Sequence, residues 1–154
     1  MGVEIERKFL LQGEGWRGLG QATLLRQGYL NSHKERTVRV RIAGDAAFLT
    51  IKSANVGARR GEWEYPIPVA EAAELLDGLC EQPLIEKYRH RITLGGHVWE
   101  VDEFLGANAG LVVAEIELAS EDEAFDKPDW IGAEVTGDVR YLNSNLIKQP
   151  YSTW

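Results

Sequence analysis

Acidic and basic side chains recur in this chain two positions apart. Glu4 and Glu6 precede Lys8, Arg39 precedes Arg41, and Glu62 precedes Glu64. Lys87, Arg89 and Arg91 form a run, as do Glu100 and Asp102, then Glu115 and Glu117, with Lys52 standing singly. Two guanidinium forks side by side suit phosphate, which accepts paired hydrogen bonds from their planar donors. Paired carboxylates offer hard oxygen ligands of the kind Mg²⁺ or Mn²⁺ takes. The two sets together suit the binding of a polyphosphate with a divalent metal.

A spacing of two is the period of a β-strand, whose side chains point to opposite faces in turn. Val3, Ile5 and Phe9 alternate with Glu4, Glu6 and Lys8. The pattern returns in Thr37–Ile42, Ala47–Ser53, Gly61–Pro68, Leu84–Leu94, His97–Phe104 and Leu111–Ala119, and Leu25–Ser32 reads as a further short strand carrying Gln27 and Tyr29. Gly44–Asp45 and Gly95–Gly96 mark hairpin turns. Between Val69 and Leu79 the period changes, with Ala72, Ala73, Leu75, Leu76 and Leu79 at helical spacing. Ser120 followed by Glu123 reads as a capped helix start over Ser120–Phe125, and Tyr141–Ile147 as a short helix. Gln12–Gln21 is a glycine-rich loop without the spacing, lysine or hydroxyl of a P-loop.

Antiparallel strands with such faces close in two ways. The charges can face water, with the apolar faces forming the core of a sandwich. Alternatively they line a polar tunnel, with the apolar faces outside under helices. The arginine pairs and the helices available to cover an outer wall favour the tunnel. Burying so many charges is prohibitive unless they neutralise one another or a bound metal and polyanion. The expected fold is therefore α+β: one domain over residues 1–154, an eight-stranded antiparallel β-barrel with a charged interior and helices packed outside. A lipocalin-type barrel would want apolar residues inward.

Length and composition narrow the class. The chain has 154 residues, 44% of them hydrophobic and 27% charged, which suits one globular domain. A net charge of −7 speaks against general attraction to nucleic acid or anionic membrane. Cys80 is the single cysteine, so a disulfide scaffold is not expected and a reducing, cytoplasmic setting fits. It reads as a core residue. No signal peptide or membrane-length apolar run is visible. His33 falls in a turn, and His90 and His97 lack zinc-ligand spacing. The scattered tryptophans suit an outer wall; apolar wall left bare would favour a homodimer.

Glu4–Ile5–Glu6–Arg7–Lys8 resembles the Glu-x-Glu-x-Lys signature of the CYTH, or triphosphate tunnel metalloenzyme, superfamily. The resemblance continues through Leu25–Leu30, Arg39–Arg41, Leu49–Ser53, Glu86–Arg89, Val113–Leu118 and Glu134–Asn143, nearly the whole chain. It implies a tunnel for a triphosphate and Mg²⁺ or Mn²⁺, in the manner of small bacterial inorganic triphosphatases. By position it makes Glu4, Glu6, Glu115 and Glu117 metal carboxylates, joined by Asp102 and with Glu100 as a helper. It makes Arg39, Arg41, Lys52, Lys87 and Arg89 phosphate clamps, Lys8 the lysine at the reacting phosphoryl group, and Tyr29 a tunnel-facing tyrosine. Glu62 and Glu64 match less closely, and Arg91 falls at the tunnel mouth. The implied activity is metal-dependent hydrolysis of inorganic triphosphate to diphosphate and phosphate. Thiamine or nucleoside triphosphate hydrolysis, ATP cyclisation and non-catalytic polyphosphate binding are the alternatives.

Overall fold

The computed structural model describes residues 2–154. Eight strands follow the alternating segments: β1 (Gly2–Leu11), β2 (Gln21–Asn31), β3 (Arg36–Ala43), β4 (Ala46–Ser53), β5 (Arg59–Ile67), β6 (Ile85–Leu94), β7 (His97–Phe104) and β8 (Val112–Glu117). They hydrogen-bond in the order β5-β4-β3-β2-β6-β7-β8-β1, and a β5–β1 pairing closes the barrel. Every neighbouring pair is antiparallel. The β3–β4 hairpin turns at Gly44, whose φ of 60° is the left-handed conformation that glycine adopts without a Cβ clash.

Closure at β1 is shared. Gly2–Ile5 pairs with β5, whereas Phe9 and Leu11 pair with a ninth strand, β9 (Ile131–Glu134). The opposite edge of β1 takes β8, with Lys8 opposite Glu115 and Glu6 opposite Glu117. Register thus sets the carboxylate pair of β8 beside the signature residues of β1.

Three apolar clusters hold this frame. On the outer wall of β1, β7 and β8, Phe9, Trp99, Val101, Ala114 and Ile116 are almost wholly buried. Their cover is irregular chain carrying Trp16, Phe125 and Trp130, with aromatic edge contacts such as Trp99 to Trp130 at 5.9 Å. Helix α1 (Val69–Gly78) covers Val40 and Ala47 with Ala72 and Leu76. Cys80 is buried there, and a Cβ on Gly28 would stand 2.9 Å from its own, so only glycine lets β2 pass this closely. The third cluster joins Tyr29, Ile85, Phe104, Leu111 and Val113 to Tyr141, Leu146 and Ile147 from the C-terminal tail.

Helical cover is thinner than expected. Ser120–Phe125 makes no helix: the Glu123 carboxylate accepts from the Ala119 N–H and meets His97, while Ser120 Oγ donates to Asp122. These local bonds satisfy a turn and leave nothing to propagate. The expected Tyr141–Ile147 helix is a 3₁₀ turn at Val139–Tyr141 followed by one turn of helix, α2 (Asn143–Leu146). Leu142, extended at φ −68° and ψ 131°, separates them.

Candidate active site

Strand parity sends the charged faces inward. A cavity of about 420 Å³ is lined by Glu4, Glu6 and Lys8 of β1, Tyr29 of β2, Arg39 and Arg41 of β3, and Lys52 of β4. Glu62 and Glu64 of β5, Lys87, Arg89 and Arg91 of β6, Glu100 of β7, and Glu115 and Glu117 of β8 complete the ring. Of the residues expected at the site, Asp102 alone does not line this cavity.

Asp102 instead stands behind the basic wall. It is 1% exposed and accepts two bonds of 2.8 Å from Arg89, through Nε and Nη2, with Lys87 Nζ at 2.7 Å. Its oxygens, expected to take a metal, are here engaged by two cations, because Arg89 lies directly opposite it in the β6–β7 register. Burial opposes its charge, but Arg89 and Lys87 outweigh that and hold its carboxyl well below the usual range. Lys87 is pushed down to about 7 by burial, despite Asp102. Burial and the neighbouring Arg39 and Arg89 bring Arg41 down to about 9. Arg41 Nε donates to Gln27 Oε1 at 2.8 Å, and Arg39 donates to Thr50 Oγ1 at 3.3 Å. This crowding of cations is unfavourable without an anion between them.

The acidic wall is crowded in the same way. Both oxygens of Glu4 accept from Lys52 Nζ, at 2.9 and 3.0 Å, and Glu62 lies 3.3 Å from the same ammonium. Burial works against ionisation of Glu115, yet Lys8, 3.7 Å away, and Arg89 hold its carboxyl down to about 2. The Glu6 carboxylate has no hydrogen-bond partner among the described residues; burial, then the charges of Glu115 and Glu4, push it up to about 8. Burial, then Glu4 and Glu100, also raise Glu117.

The donors fit a hard divalent cation by type. Glu4, Glu6, Glu115 and Glu117 sit on adjoining strands β1 and β8, and their mutual repulsion is relieved by a cation between them. Among the described residues, no three carboxylate, histidine or cysteine side chains are grouped closely enough to form a ready metal cage. Glu62 and Glu64 belong to the wall through Lys52 and Thr50. Glu100 pairs with Arg89 and Arg91, and Arg91 is largely exposed, as expected of a mouth residue. His90 and His97 face outward to Glu103 and Glu123, and His33 is exposed.

The tail supplies what the charge pattern omits. Val135–Val139 and Leu142–Ser144 line the same cavity. Lys8 Nζ donates to the Tyr141 carbonyl at 3.2 Å, and Lys87 Nζ donates to Asn143 Oδ1 at 2.8 Å. Gln27 Nε2 donates to the same oxygen at 3.3 Å. The tail is fastened by Arg7, whose fork meets Glu134 at 2.6 and 2.8 Å, and by Thr136 Oγ1, which accepts from the Lys8 N–H at 2.9 Å. Gln27 was readable by its parity with Tyr29. Asn143 was not, because an amide in irregular backbone has no period.

Barrel and lining together define a closed β-tunnel with opposed basic and acidic walls. The chain belongs to the CYTH family: the CYTH domain matches residues 2–151. It is 54% identical over 154 residues to an inorganic triphosphatase of Acetivibrio thermocellus, covering 100% of this chain and 99% of that one. It is 40% identical over 148 residues to an inorganic triphosphatase of Nitrosomonas europaea, covering 94% and 96% of the two chains. The crystal structure of the inorganic triphosphatase NE1496 matches the fold with a TM-score of 0.68 and 38% identity, covering 96% of this chain and 95% of that one.

Proposed function

We propose that this protein hydrolyses inorganic triphosphate to diphosphate and phosphate with Mg²⁺ or Mn²⁺. One observation carries the reading: a single cavity inside the closed barrel joins a wall of Arg39, Arg41, Lys87 and Arg89 to a wall of Glu4, Glu6, Glu115 and Glu117. A simple anion-binding protein has no use for the second wall. The names of the relatives at 54% and 40% identity support the same substrate.

In this reading the arginines and Lys87 grip the phosphate chain, and Asp102 fixes the aim of Arg89 and Lys87. Each arginine offers its fork to non-bridging oxygens, where charge is neutralised as the terminal phosphoryl group is transferred. Lys8 sits beside Glu115, where its ammonium neutralises the reacting phosphoryl group. Glu4, Glu6, Glu115 and Glu117 would hold the metal, which when bound neutralises phosphate oxygens and lowers the pKa of a water. The tail shapes the cavity at Lys8 and Lys87. The single cysteine accords with a reducing, cytoplasmic setting.

The test is phosphate release from triphosphate, diphosphate, ATP and thiamine triphosphate, each with Mg²⁺, Mn²⁺ or chelator. The expected result is metal-dependent release fastest with triphosphate. Faster release from an organic triphosphate would replace the proposed substrate, and cyclic AMP from ATP would replace hydrolysis with cyclisation.

Arg7 gives a second expectation. Arg7→Met removes the fork that fastens Glu134, and with it the placing of Tyr141 and Asn143 against the two lysines. A misplacement of this kind costs about tenfold or more in kcat. Arg7→Lys keeps the charge but not the fork and restores little. Equal kcat in wild type and both variants would show that the latch does not position the tail.

A further inference from the structure

Lys52 occupies Glu4 more completely than any other cation in the tunnel occupies a proposed metal carboxylate. Its ammonium lies 2.9 and 3.0 Å from the two Glu4 oxygens, while Lys8 stands 3.7 Å from one oxygen of Glu115. Both partners are enclosed, the Lys52 side chain 12% and the Glu4 side chain 8% exposed. A divalent cation taking Glu4 through both oxygens must therefore displace Lys52. The displaced ammonium retains only Glu62, 3.3 Å from it in the present arrangement. Its flexible stem starts inside the cavity that holds the phosphate clamps. A phosphate oxygen is the replacement partner that this cavity is built to receive.

We propose that Lys52 is an internal counter-cation of Glu4 whose transfer to the phosphate chain couples metal binding to triphosphate binding. Metal at Glu4 releases Lys52 for phosphate, and phosphate draws Lys52 off Glu4 and opens it to metal. By linkage the two effects are equal, so each ligand tightens the other by the same factor. The free protein then holds Glu4 neutralised at low metal concentration, and the metal arrives with its substrate. The inference rests on the proposed reading of Glu4 as a metal ligand.

The test measures Mn²⁺ binding by electron paramagnetic resonance, with and without saturating diimidotriphosphate, whose two bridging nitrogens block hydrolysis at both linkages. Wild type should bind Mn²⁺ about tenfold more tightly with the analogue, within the usual range of coupling between sites. Lys52→Met should bind Mn²⁺ about tenfold more tightly than wild type without the analogue, and gain clearly less than wild type from adding it, keeping only what direct contact between metal and phosphate supplies. Arg39→Met, which removes an equal charge that does not touch Glu4, should keep the coupling. Undiminished coupling in Lys52→Met, or the same tightening in Arg39→Met, overturns the proposal. Glu4→Gln separates the two readings. If it binds Mn²⁺ as wild type does, the metal assignment of Glu4 fails and the coupling with it. If it binds weakly while Lys52→Met binds no tighter than wild type, only the coupling fails. In the unaltered protein, the Lys52 ammonium resonance should shift on Mg²⁺ binding, and a resonance unmoved at saturation also overturns the proposal.

Discussion

Glu6→Gln is expected to lose about 10²–10³ in metal-dependent turnover of triphosphate, while its metal-free fold gains stability above neutral pH. The two effects share one cause. The Glu6 carboxylate lies among Glu4, Glu115 and Glu117 with no hydrogen-bond partner among the described residues, and burial, then the charges of Glu115 and Glu4, raise it from 4.5 to about 8. A bound cation turns this repulsion into attraction, and a neutral amide gives up most of that. Without metal, the sign reverses. Folded Glu6 keeps its proton where the unfolded chain has lost it, so its contribution is fully present below about pH 4.5 and falls away as pH rises to about 8. Glutamine does not titrate. Chelated wild type and Glu6→Gln should therefore match near pH 4 and diverge up to pH 8–9. The gain for the variant is on the order of 1–3 kcal/mol, allowing for screening by water in the tunnel. Denaturant unfolding with chelator at several pH values, beside phosphate-release assays, measures both. Turnover within tenfold of wild type would remove Glu6 from the metal site. Parallel stability profiles would mean that the carboxylates do not repel one another as the fold implies.

The strands were legible because their charge obeys a period. Alternation fixes parity, and parity alone places Glu4, Glu6, Arg39, Arg41, Glu115 and Glu117 on the lining of one cavity. Parity says which face a side chain takes, not how far it reaches. Asp102 shares its face with Glu100, yet Glu100 lines the cavity while Asp102 is shut behind Arg89 and Lys87. The β6–β7 register makes that difference, and register is set by long-range pairing. The outer cover was hardest to read. Trp16, Phe125 and Trp130 do the work expected of helices, but from irregular chain whose hydrophobic residues follow no repeat. Ser120 and Glu123 carry a capping signature and spend it on a turn, because His97 competes for the same carboxylate. β9 was unmarked for a related reason. Four residues, Ile131–Glu134, are too few to show alternation, and their role comes from the edge of β1 left free beyond β5.

Asp102→Asn should be the most destabilising single change in the tunnel wall, at about 3–5 kcal/mol. The carboxylate is 1% exposed and lies within 2.8 Å of both Lys87 and Arg89. Asparagine keeps the shape but leaves two buried cations beside Arg41, itself already pushed down to about 9. For a chain of 154 residues the loss corresponds to roughly 10 °C in Tm. Lys87, held at about 7 even with its counter-charge, should then shed its proton at neutral pH and grip phosphate poorly. Neutralising both sides tests the cause. Adding Lys87→Met to Asp102→Asn removes one stranded cation, so the double variant should be more stable than additivity allows. Wild type carries the complementary acid signature. The folded Asp102 pKa lies below its ordinary 3.8, so its contribution is present above about pH 4 and is lost as pH falls further. Asp102→Asn should lack that part of the acid limb. Thermal unfolding of the single and double variants between pH 3 and pH 8 decides the matter. If Asp102→Asn melts within 2 or 3 °C of wild type, the basic wall does not depend on its buried carboxylate, and the aim of Arg89 and Lys87 must come from the phosphate chain itself.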